Sequence, residues 1–86
     1  MVTVKKFYAD WCGPCKMLSP IIDSLKSQIP SVTFIDVDAD TNQEEAAKYG
    51  IRGIPMVIIE KDGQVVERIN GVNPEGVYLQ KIQSHM

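Results

Sequence analysis

Eighty-six residues make about one small domain, which hides roughly 60% of its extended surface on folding and leaves no room for a second. Hydrophobic residues are 44% of the chain and charged residues 23%, ordinary for a folded globular protein and too apolar for a disordered tail. The formal charge is -2, no basic run exceeds Lys5-Lys6, and the longest apolar stretch, Ile54 to Ile59, falls far short of the roughly 20 residues that cross a bilayer, so neither nucleic acid nor a membrane is an expected partner.

In chain order, Val2, Val4 and Tyr8 alternate with Thr3, Lys5 and Phe7, which predicts a strand over 2–8 covered on both faces. A sharp turn follows at Asp10-Trp11-Cys12-Gly13-Pro14. From Gly13 to about Gln28, Met17, Leu18, Ile21, Ile22, Leu25 and Ile29 recur at helical spacing. Pro14 suits the first turn of this amphipathic helix. Pro20 lies inside it, removes the hydrogen bond to the Lys16 carbonyl and predicts a kink; Pro30 marks the end. Residues 32–39 read as a second strand, and Asp40-Thr41-Asn42 supplies a cap for a helix over 43–49 that Gly50 closes. A third strand over 55–60, a turn at Lys61-Asp62-Gly63-Gln64 and a return over 65–69 form a hairpin. Asn73-Pro74 then opens a last helix over 75–83, with Val77, Leu79 and Ile82 available for burial. The order β-α-β-α-β-β-α predicts an α/β fold: a four-stranded mixed sheet flanked by three helices.

Cys12 and Cys15 are the whole cysteine complement. Bridging them closes so short a loop that the chain-entropy gain is about 2 kcal/mol at most, a poor staple. A structural metal needs about four ligands, and beyond this pair the chain offers one histidine, His85, near its end, plus carboxylates; no metal is expected. A disulfide that opens and closes as part of the work is the better use of such a pair in a reducing compartment. The opening MVTVKKFYAD sets its charges after its apolar residues, the reverse of a secretory signal, so no export segment is expected and the cytoplasm is the expected location.

Only the thiolate is a nucleophile, and Cys12 stands where strand gives way to helix, so backbone N–H groups and the positive helix end favour its anion. Cys12 is therefore the expected attacker. Cys15, one helical turn deeper and less open to solvent, is the expected resolving thiol. Gly13 avoids crowding an incoming chain, and Pro14 stiffens the ring against a strained disulfide, which favours a reducing pair. Trp11 shields the site and offers a partner an apolar contact, with core packing as the alternative.

Trp11-Cys12-Gly13-Pro14-Cys15-Lys16 matches the active-site signature of the thioredoxin family at every position, and the chain resembles that family over nearly its whole length. Tyr49-Gly50-Ile51-Arg52-Gly53-Ile54-Pro55 before the third strand and Asn70-Gly71 after the fourth agree with it. The resemblance implies a thioredoxin-like fold as a single domain over 1–86. It also implies a dithiol–disulfide oxidoreductase that reduces protein disulfides through Cys12 and Cys15, needs no bound cofactor, and is re-reduced by a thioredoxin reductase. By the same resemblance Pro55 is a cis proline facing the disulfide, otherwise a minority state. Ile54 backbone groups would take an extended substrate as an added strand, and Gly71 would leave room for it. Trp11, Gly13, Pro14, Ile54, Pro55 and Gly71 would together form a shallow apolar groove suited to a protein. A glutathione-dependent glutaredoxin shares the short fold, but its usual active-site tyrosine is absent, and no double glycine follows Gly71. A redox-independent binding subunit using the same groove is the non-enzymatic alternative.

Two departures from the family stand out. Its usual first strand and helix are missing, so one flank of the sheet is expected to be exposed or covered differently. Six residues before Cys12, where the family usually carries a buried aspartate, stands Lys6; where many members place a partner lysine stands Asp36. The expectation is a swapped Lys6–Asp36 ion pair below Cys15, with Asp36 or a water it holds moving the proton. The alternative is that Lys6 snorkels to the surface and Asp36 is solvated. Glu44-Glu45 reads as a solvated helix face, Met17, Leu18 and Met56 as packing, and His85 as a disordered tail residue. Lys16 either supports the thiolate or docking, or is a bystander.

Overall fold

In the computed structural model, which covers residues 1–86, strand β1 (Val2–Tyr8) lies inside a four-stranded sheet. It runs parallel to β2 (Thr33–Asp38) on one side and antiparallel to β3 (Met56–Lys61) on the other, and β4 (Gln64–Asn70) completes the order β2-β1-β3-β4. The helices are α1 (Gly13–Gln28), α2 (Gln43–Lys48) and α3 (Glu75–Gln83). Element order and type follow the sequence expectation: β1, α1 and α3 keep the expected ends, and those of β2, α2, β3 and β4 move by no more than a residue.

Alternation along β1 decides which side chains meet which helix. Val2 and Val4 share a face with Val57 and Ile59, packed against Leu18, Ile22 and Leu25 of α1 and Tyr78 and Ile82 of α3. Phe7, Met56 and Ile58 point the other way and pack with Val37 and with Tyr49 at the end of α2. Coverage on both faces is why β3 reads as an unbroken apolar run, Met56-Val57-Ile58-Ile59. Each fully buried Leu or Ile contributes about 1.5–3 kcal/mol relative to exposure.

Several local expectations change. α1 runs through Pro20, which lies on its exposed side and does not end the helix. Met17 is 65% exposed rather than packed, because Cys15, Leu18, Ile22 and Leu25 take the sheet-facing stripe and Met17 falls about 100° away from it. Asn42 caps α2 by position but makes no side-chain cap bond; its amide donates back to the Asp38 carbonyl at 3.0 Å, so this cluster closes the end of β2. His85 is not a loose tail residue: its Nε2 lies 2.9 Å from Glu67 Oε2 on β4. The hairpin expectation holds, with Asp62 (φ 52°) and Gly63 (φ 84°) both left-handed, as a two-residue turn with matching twist requires. The exposed flank is β2, an edge strand whose Thr33, Ile35 and Asp36 face solvent.

Candidate active site

β1 ends at Tyr8, and the chain turns through Ala9–Trp11 into α1, so the sheet delivers Cys12 to the helix N-terminus. Cys12 is the N-cap, in extended backbone, and the Cys15 N–H donates to Cys12 Sγ at 3.2 Å. The sulfur thus occupies the place of a capping oxygen, where unpaired helix N–H groups and the helix dipole favour negative charge. The two cysteines form a disulfide with Cα atoms 5.3 Å apart. Both are enclosed, at 4% and 3% exposure, by a cluster with Ala9 against which Tyr8 and Ile54 pack. The expected difference in access between Cys12 and Cys15 is therefore absent in the oxidised state.

Trp11 is 71% exposed, which disposes of the core-packing alternative, and its indole N–H donates to Asp40 Oδ2 at 2.7 Å. Beside it a surface cavity of about 330 Å³ is lined by the apolar side chains of Trp11, Ala39, Ala46, Ala47, Ile51 and Ile54. Gly13 and Pro14 are exposed on the first turn of α1. The Ile54–Pro55 peptide is cis. Neither the N–H nor the C=O of Ile54 takes a backbone partner within the chain, so both are free for an incoming strand. The expected groove is corrected at two points. The Pro55 ring is fully buried and adds nothing to the surface, and Gly71 meets the site through its backbone, its N–H donating to the Pro55 carbonyl at 2.9 Å. A Cβ on Gly71 would meet nothing within 4 Å; what requires glycine there is the left-handed φ of 75°.

Beneath the disulfide, Lys6 and Asp36 occupy facing register positions on β1 and β2, and Lys6 Nζ lies 3.7 Å from Asp36 Oδ1. Lys6 is 7% exposed, so it does not snorkel out. Its ammonium also donates to Ser19 Oγ at 3.2 Å, and that hydroxyl donates to the Cys15 carbonyl at 3.3 Å. Sequence reading missed Ser19; the available signal was a serine four residues after Cys15 on the same helix, the spacing for a back-bond to the i−4 carbonyl. A second cavity, of about 200 Å³, is lined by Tyr8, Ala9, Asp10, Cys15, Lys16 and Ser19 and reaches the second cysteine from this side. Burial, with Asp38, Asp10 and Asp36 nearby, pushes the Tyr8 phenol above its ordinary value, so it stays protonated.

No three metal-ligating side chains gather anywhere, and no helix is long and apolar enough to cross a membrane.

The family model described as Thioredoxin matches residues 1–84. The chain is 40% identical over 79 residues to a thioredoxin of Chlamydia trachomatis serovar D, covering 92% of this chain and 78% of that one. It is 37% identical over 86 residues to a thioredoxin of Bacillus subtilis (strain 168), covering 99% and 83%. Among solved structures, Fasciola hepatica thioredoxin superposes with a TM-score of 0.92 at 40% identity, over 99% of this chain and 81% of that one. A point mutant of thioredoxin from Halobacterium salinarum NRC-1 gives 0.93 at 39% identity, over 98% and 74%.

Proposed function

Because the chain belongs to the thioredoxin family and is a thiol–disulfide oxidoreductase, we propose that Cys12 is its nucleophile and Cys15 its resolving thiol, within one catalytic domain over residues 1–86. The observation that carries this assignment is the Cys15 N–H donating to Cys12 Sγ at the helix N-cap, which favours the anion at Cys12 and places Cys15 one turn away from it.

Its substrates are protein disulfides. Cys12 thiolate attacks one substrate sulfur, the substrate bond breaks, and the first substrate thiol leaves as a mixed disulfide forms on Cys12. Cys15 then attacks Cys12 Sγ, the second substrate thiol leaves, and the Cys12–Cys15 bond closes. Trp11 and Ile54 supply the apolar contact, and the unpaired Ile54 N–H and C=O add the substrate as a strand beside Pro55, with Gly71 holding the Pro55 carbonyl. Gly13 and Pro14 keep the first turn of α1 low and rigid next to the incoming chain. Lys6 and Asp36 form a supporting pair behind Cys15. A thioredoxin reductase restores the dithiol, and a pair kept reduced in this way works in the cytoplasm.

Trapping with Cys15→Ser tests the assignment, because it removes the second step and leaves substrates covalently held on Cys12. Accumulation of mixed disulfides that a reductant releases supports it; equal trapping in Cys12→Ser overturns it.

A further inference from the structure

Lys6 and Glu60 are the buried charged residues of this molecule, and only Lys6 lies against the helical turn that carries a cysteine. Taking an ammonium out of water is costly unless its surroundings compensate it. Here the compensation is uneven. Ser19 Oγ at 3.2 Å and the Tyr8 ring, 5.5 Å away, are neutral, while the one carboxylate, Asp36, sits at 3.7 Å on a side chain 44% exposed, where water and salt screen it. A buried positive charge is thus left partly uncancelled, and Ser19 ties it to the Cys15 carbonyl.

Resting on the reading of Cys15 as the resolving thiol, we propose that Lys6, held by Ser19 and tempered by Asp36, is a positioning residue whose charge stabilises the Cys15 thiolate. The proton of Cys15 then leaves to solvent through the cavity lined by Tyr8, Asp10, Lys16 and Ser19, not to a carboxylate. The other titratable groups on this side are Tyr8 and Asp10 at the end of β1, Asp36 and Asp38 on β2, and Lys16 on α1. Asp10 and Lys16 are exposed and therefore screened, and Asp36 does not line the cavity that reaches Cys15. In the resolving step the Cys15 thiol gives its proton to water, and the thiolate attacks Cys12 Sγ. The Cys12–Cys15 bond forms as the bond to substrate breaks, and the substrate sulfur leaves with the electron pair and is protonated by water. At pH values where the thiolate is populated, stabilising it also stabilises the reduced form, so there Lys6 makes the pair less reducing than a neutral residue would.

The test is the pH midpoint of Cys15 thiolate absorbance in full-length protein carrying Cys12→Ser. Lys6→Met is expected to raise the midpoint by about one unit. In the dithiol protein equilibrated with glutathione at a pH above both midpoints, the same change should shift the equilibrium up to about tenfold toward the disulfide, or about 30 mV. Well below them it should leave the equilibrium unmoved. Should Lys6→Met not fold, the uncharged pair Lys6→Gln/Asp36→Asn decides: the midpoint rises if the buried ammonium outweighs the more exposed carboxylate. Asp36→Asn alone should lower the midpoint and speed the resolving step severalfold at pH below it. A midpoint unmoved or lowered by neutralising Lys6, or an Asp36→Asn protein that resolves more slowly, as loss of a proton acceptor would cause, overturns the proposal. Failure of the resolving assignment itself shows separately, as a Cys15→Ser protein that traps no substrate.

Discussion

Lys5 and Lys6 are neighbours in β1, yet alternation sends them to opposite faces of the sheet and into opposite kinds of surroundings. Under α2, Lys5 Nζ donates to Tyr49 OH at 2.8 Å, that hydroxyl donates to Glu60 Oε2 at 2.7 Å, and Lys5 lies 3.5 Å from Glu60 Oε1. The ring of contacts is closed, with each charge answered by a partner of comparable burial. Under α1, Lys6 has a carboxylate on its solvent side and a hydroxyl leading toward Cys15. A closed network of this kind holds the fold in register; an open one leaves a field that can act on a neighbouring sulfur.

The contrast breaks outright if chemistry depends on the α2 face. Cys12→Ser is expected to abolish disulfide turnover while leaving thermal unfolding close to that of the reduced parent, checked by cleavage of a cystine-containing test protein and by calorimetry. Glu60→Ala should do the reverse. It strands the Lys5 ammonium with Tyr49 alone and should cost about 3 kcal/mol, visible in denaturant unfolding, with turnover per folded molecule retained. Tyr49→Phe sharpens the same point at smaller size, since it leaves Lys5 and Glu60 without their bridging hydroxyl, for about 1–3 kcal/mol.

The pH dependence of stability separates the networks further. The Tyr49 hydrogen bond, helped by Glu60 and opposed by burial, holds Lys5 protonated above the ordinary 10.5. A raised folded value means that its contribution is complete below the unfolded value and fades as pH rises through the higher folded one. Stability should therefore fall on the alkaline side above about pH 10.5, less so in Glu60→Gln, as followed by unfolding midpoints across pH. The smallest effect belongs to the C-terminal contact. His85, then Lys81, hold Glu67 below its ordinary 4.5, so that contribution is present above the unfolded value and fades as pH falls through the lower folded one. His85→Ala should flatten that acid limb slightly and leave the alkaline limb alone.

How far each feature could be read in advance follows from the distance over which it is specified. Cys12, Gly13, Pro14 and Cys15 lie within one helical turn, so their spacing and the preceding strand already imply a sulfur at a helix N-cap. The Lys6–Asp36 pair could be anticipated because the family resemblance puts Lys6 where members usually carry an aspartate and Asp36 where many carry its partner lysine; their facing register is a finding of the structure. The role of Ser19 is not legible in the chain because nothing in a lone serine says that a lysine from another element will reach it. The exposure of Met17 is not legible in the chain because it belongs to an apolar run whose sheet-facing stripe is narrower than the run itself. Lys5 and Tyr49, 44 residues apart, meet only once α2 has folded over the sheet.

Local chemistry in the chain was sufficient for the element order, the hairpin at Asp62-Gly63 and the cysteine pair, since periodicity, punctuation and turn geometry act between residues a few positions apart. The burial of both sulfurs, the answering of two adjacent lysines by different partners and the anchoring of His85 were decided only in three dimensions. Each of those depends on what water is removed and which distant group replaces it, and that is a property of packed surfaces.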